Sequence, residues 1–155
     1  MSEDSVSIVV PEPHYTLFNT SLRDLPAVVV VNGALLAFEH TDIFPWHLEV
    51  TLQAEILAEQ GMPTSDESKL LFEVGDRIEQ AIVGYNAMFL ARATWNSIRE
   101  IHFRVYDPDV AENTLRDLLN SNKDREWEFE MVHDPQWTQA GRFFGLFSSA
   151  YGLDA

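Results

Sequence analysis

Two histidines and a glutamate share one parity on two segments whose apolar residues alternate. In WHLEVTLQA, residues 46–54, Trp46, Leu48, Val50 and Leu52 fall on one face, and His47, Glu49, Thr51 and Gln53 on the other. In REIHFRVY, residues 99–106, Ile101, Phe103 and Val105 alternate with His102, Arg104 and Tyr106. Two imidazoles and a carboxylate are a donor set that suits zinc or iron. Their spacing matches no metal motif, so no metal or other cofactor is expected, and a site would exist only if the fold joined the two segments.

A third alternating segment lies in DREWEFEMVHDPQW, residues 124–137. Trp127, Phe129 and Met131 point one way, and Glu126, Glu128 and Glu130 the other. His133-Asp134 resembles a His–carboxylate pair, but Asp before Pro is first a turn and helix-entry signal. Other chemistries have no foothold. G-x-S-x-G, the Walker A pattern and G-x-G-x-x-G are absent. The chain has no cysteine, which excludes thiolate catalysis, disulfides, Fe–S clusters and Cys-based zinc sites. No catalytic residue is assigned, and the expectation is that the protein is not an enzyme.

The elements that must position these residues follow from periodicity. Residues 1–24 read as an extended lead with one short strand, SVSIVV, and residues 25–155 as a single α+β domain. Ala27–Val31 is a β-branched strand. Thr64 and Glu67 have capping-box spacing at the head of a helix over 65–84, with Leu71, Val74 and Ile78 on its apolar stripe and Gly84 as its stop. Gly75 within it would let a neighbour approach closely. Residues 87–95 and 99–106 form a hairpin about Asn96-Ser97, Asp107-Pro108 opens a second helix, 126–132 is a strand, and 135–147 is a terminal helix carrying Trp137. From residue 46 the order is β-α-β-β-α-β. The expected fold is a ferredoxin-like antiparallel sheet with helices on one face, plus an extra N-terminal strand and a C-terminal helix.

In that fold strands 46–54 and 99–106 are central neighbours. Their polar residues, His47, Glu49, Thr51, His102, Arg104 and Tyr106, share a face flanked by Glu126, Glu128 and Glu130, and by Arg92 and Thr94. Three readings fit this face: a solvated surface with cross-strand ion pairs, a partner or dimer face, and a catalytic or metal site made from His47, His102 and Glu49.

The whole chain narrows the partners. It has 155 residues and a net charge of −15, from 10 Lys and Arg against 25 Asp and Glu. Lysine occurs only at positions 69 and 123. Nucleic-acid binding needs a basic surface to displace counterions, so no direct nucleic-acid contact is expected, and anionic membranes are disfavoured on the same ground. The acidic N-terminus lacks a signal-peptide pattern, and PAVVVVNGALLAF is too short to span a bilayer, so a cytoplasmic protein is expected. An acidic surface suits a basic protein partner.

The segments FPWHLEVTLQAE, GMPTSDE, HFRVYD and above all REWEFEMVHDPQW resemble the domain of unknown function 695 family over residues 25–147. The signature is Asp124, Glu126, Trp127, Phe129, Asp134, Pro135 and Trp137. The resemblance implies no catalytic residue, because the family has no established activity. A more remote likeness is to the regulator of ribonuclease activity B family, small acidic proteins that bind an RNA-processing endonuclease. Together these readings describe a non-catalytic interaction module, monomeric or homodimeric, that modulates a basic nucleic-acid-handling partner such as an RNA-decay enzyme. The alternatives are a toxin-immunity protein, or an enzyme or ligand binder using the His47–His102 face or a pocket under the terminal helix.

Overall fold

Six segments rich in β-branched and aromatic residues pair into one open antiparallel sheet in the computed structural model, which describes residues 10–121 and 125–151. The strands are β1 (Tyr15–Leu22), β2 (Leu25–Asn32), β3 (Trp46–Gln53), β4 (Ala87–Trp95), β5 (Ile98–Val105) and β6 (Trp127–His133). The helices are α1 (Ser65–Ile82), α2 (Pro108–Ser121) and α3 (Thr138–Tyr151). The sheet order is β1-β2-β4-β5-β3-β6, and β3 and β5 are neighbours, as expected for strands 46–54 and 99–106.

The expected lead is corrected. Tyr15–Leu22, within residues 1–24, is a sheet strand, joined to β2 by a tight turn in which Arg23 and Asp24 both have positive φ. Asn96 and Ser97 make the same kind of turn between β4 and β5. Positive φ at both turn residues gives the twist that two-residue hairpins favour. SVSIVV before Val10, and Asp124 of the signature, lie outside the described residues.

The sheet is packed on both faces: α1 and α2 share one face, as expected, and the extra C-terminal helix lies on the other. α1 and α2 cover Leu48, Val50, Leu52, Ile101, Phe103 and Val105, with Trp127, Phe129 and Met131 against the same core. α3 covers the other face of β1, β2 and β4 through Ala140 and Phe143, which pack with Phe18, Val29, Val31, Leu90 and Ala93. A bulge between Phe89 and Ala91 switches the parity of β4. Leu90, Ala91 and Ala93 therefore meet α3, and Arg92 and Thr94 turn to the α1 side rather than flanking the histidines.

Local signals explain the helices. Thr64 Oγ1 accepts from the Glu67 amide and caps α1. Glu67 does not complete the capping box. Its buried carboxylate accepts from the Glu55 amide and receives both terminal nitrogens of Arg125 at 2.7 and 2.8 Å. Gly75 admits its neighbour: a Cβ there would stand 2.7 Å from Ile101 Cδ1. α3 starts at Thr138, and Trp137 precedes it at φ 56°.

The Glu67–Arg125 pair ties the head of α1 to the entrance of β6. Arg125→Met leaves a buried carboxylate without its cation and should cost about 3 kcal/mol in urea unfolding. Glu67→Gln on that background should recover part of the loss.

Candidate functional site

The register sets His47 opposite Arg104 and Glu49 opposite His102, all on the face towards α3. His47, His102 and Arg104 are buried there, which overturns their placement on an open surface. The cover is α3 and the turn before it. Phe143 lies against the His102 ring, and Trp137 lies over the Arg104 guanidinium at 4.5 Å.

Arg104 is the centre. It donates to Asp134 Oδ2 at 2.9 Å, to the Asp134 carbonyl at 2.6 Å, to the Phe44 carbonyl at 3.2 Å and to His47 Nδ1 at 3.1 Å. Among the described residues its Nε is the one buried side-chain nitrogen or oxygen without a partner. Asp134 also accepts from the Thr138 and Gln139 amides, so the same carboxylate caps α3. Burial alone would raise the Asp134 carboxyl. The Gln139 amide, Arg104 and the Thr138 amide outweigh that and hold it below its ordinary value. Burial lowers the Arg104 guanidinium, against the pull of Asp134.

Arg104 can only donate, so His47 Nδ1 must accept. His47 is then the Nε2–H tautomer and donates to His102 Nδ1 at 2.9 Å. His102 in turn donates from Nε2 to Glu100 Oε1 at 2.8 Å. Trp95 Nε1 donates to Glu100 Oε2, and Arg142 stands 3.5 Å from Oε1. The chain Arg104→His47→His102→Glu100 thus has one donor direction throughout. Burial, then His102 and Arg104, push the His47 imidazole down to about 3. Burial favours the neutral form of Glu100, but bonds from His102 and Trp95 keep it below its ordinary value.

α3 stops short of the β3–β6 side of this face. Glu49 lies directly opposite Glu130, and Thr51 opposite Glu128. Glu128 and Glu130 are exposed, Glu49 is partly exposed, and none of the three forms an ion pair among the described residues. A cleft of about 490 Å³ continues past them between Gln53, Glu126, Glu128 and the end of α2 at Asn120. β6 is an edge strand, so this surface is open along one side.

Ligand atoms of Glu49, Glu100 and His102 lie within 4.8 Å of one another, close enough to share a cation. The fit is poor. His102 Nε2 carries the proton it gives Glu100, and the Arg142 guanidinium is already 3.4 Å from that nitrogen. A metal would have to displace both.

The candidate residues therefore separate. Glu128 and Glu130 lie on an open surface with Glu126 just beyond it, and Glu49 stands at its border, within 4.8 Å of His102 and Glu100. His47, His102 and Arg104 lie in the packed seam. Tyr106 is exposed beyond β5, at the opposite end of the sheet from Glu126. Glu100 was missed although it has the parity of His102. Arg142 carried no local signal, because only the tertiary fold brings α3 to Glu100.

The model of a family of unknown function, DUF695, matches residues 14–143, and the chain belongs to that family. The match does not extend to the regulator of ribonuclease activity B likeness. No curated protein matches the chain. The signature has a physical content here: Trp127 and Phe129 pack against the α1–α2 core, and Asp134 and Trp137 enclose Arg104.

The depressed His47 imidazole has a pH consequence. Between 6.5 and about 3 the unfolded state holds a proton that the folded state lacks. Stability therefore falls as pH falls through this window, by up to about 1.4 kcal/mol per unit. Loss should begin near pH 6, before carboxylate protonation removes the contributions of Asp134 and Glu100. Urea midpoints measured against pH should show this slope, and His47→Gln should flatten it above pH 5.

Proposed function

We propose that this DUF695 member is a non-catalytic interaction module that docks a basic protein segment on the acidic half of its sheet. The observation that carries the reading is the directly opposed Glu49–Glu130 pair beside Glu128 on an open edge. Like charges opposite one another across strands destabilise a sheet. A lysine- or arginine-rich partner would relieve that repulsion, and the net charge of −15 would speed its encounter. A protein that handles nucleic acid, such as an RNA-decay enzyme, has a surface of the required sign. We read β3-α1-β4-β5-α2-β6 as ferredoxin-like, supported by the order β6-β3-β5-β4. A catalytic role for His47 and His102 is disfavoured, because both nitrogens of both rings are engaged in the buried chain.

The test is purification of the full chain from its own cells at low salt, beside the Glu126→Gln, Glu128→Gln, Glu130→Gln triple variant. The reading expects a specific basic protein that leaves at high salt and binds the variant roughly tenfold more weakly or worse. A partner held equally by both chains, or none with either, would overturn it.

A further inference from the structure

The α1 side of β1 and β2 holds a second candidate site, independent of the acidic face. α1 and α2 cover β3, β5 and β6 but leave this strip open. A cleft of about 210 Å³ lies there, with Leu17, Val28, Val30 and Met62 along its apolar wall. Its polar end is built from Arg99, Arg92, Thr94 and Ser68.

Arg99 is only 6% exposed. Its Nε donates to Thr94 Oγ1 at 2.9 Å, and its terminal nitrogens donate to the Ser68 carbonyl at 3.2 Å and Ser68 Oγ at 2.9 Å. All three acceptors are neutral. A guanidinium has five N–H groups, so these three bonds leave two donors unused, one on each terminal nitrogen. Neither Arg99 nor Arg92 forms an ion pair among the described residues. Glu79 lies within electrostatic reach of Arg92, whose guanidinium also sits 5.4 Å over the Phe72 ring. No carboxylate among the described residues pairs with Arg99, although Asp76 and Glu79 line a small cavity with it; burial first, then Arg92, push it down to about 10. A buried cation without a counter-ion is costly, the more notable in a chain with a large acidic excess. The β4 bulge brings Arg92 to this side at all.

We propose that this cleft binds a small organic carboxylate, its head against the spare N–H groups of Arg99 and the neighbouring Arg92 and its apolar body along Leu17, Val28 and Val30. The volume is below the roughly 300–1,000 Å³ of sites for drug-sized ligands, which points to a short chain.

The experiment is calorimetric titration of the full chain with hexanoate, hexan-1-ol and inorganic phosphate at low ionic strength. Hexanoate should bind, and the alcohol and phosphate should bind at least roughly tenfold more weakly, one lacking the charge and the other the apolar body. Arg99→Gln should lose hexanoate binding. Leu17→Glu, a change at an exposed position that sets a carboxylate at the mouth, should lose it too, and decides the matter if Arg99→Gln does not fold. No hexanoate binding at millimolar concentration, equal binding of the alcohol or phosphate, or unchanged binding by Leu17→Glu would overturn the proposal.

Discussion

A guanidinium buried beneath α3 constrains everything on that side of the sheet. Arg104 can be fully enclosed only because Asp134 supplies the opposite charge, two backbone carbonyls take further N–H groups and Trp137 offers its ring face. Asp134 also anchors the first turn of α3, so the ion pair and the helix start are one arrangement. The donor direction of the histidine chain follows from the same cation. An arginine facing His47 fixes its tautomer, which fixes that of His102 and makes Glu100 the terminal acceptor.

α3 divides this sheet face into two environments. Under the helix, polar groups are packed, paired and held in one orientation. Beyond it, on β3 and β6, glutamates share a surface with no cation drawn to them from the described residues. Arg142 stands at the boundary, close enough to reach Glu100 but not paired with Glu49 or Glu130. Paired polar groups in such a seam contribute order, whereas an unpaired acidic strip stores repulsion that binding can release. Charge on an edge strand also discourages pairing with another sheet, so the strip protects the isolated chain, and it is here that the proposed basic partner would dock.

Much of the fold was legible because alternation and capping are local. The parity of Trp46, Leu48, Val50 and Leu52, the Thr64 cap and the Asn96-Ser97 turn all appear as read. β1 was obscured because its turn uses Arg23-Asp24 rather than the Asn-Gly or Asp-Gly that signals such hairpins. The bulge at Phe89/Ala91 could not be seen in AMFLARATW, whose parity is ambiguous, so Arg92 and Thr94 were assigned to the wrong face. Alternation correctly put His47, His102 and Arg104 on one face, but whether that face meets water depends on where α3 docks. Burial is a tertiary property, and the sole local hint was Asp134-Pro135 as a helix entry.

On the β3–β6 face, Glu49, Glu128 and Glu130 stand together without an ion pair among the described residues. The most direct measurement is urea unfolding of the chain and of Glu130→Gln at low and high salt. The variant should be more stable at low salt by roughly 0.2–1 kcal/mol, with a gain that shrinks as salt screens the repulsion. A variant less stable than the parent at low salt would show that Glu130 is already compensated within the fold, and would contradict repulsion on this face.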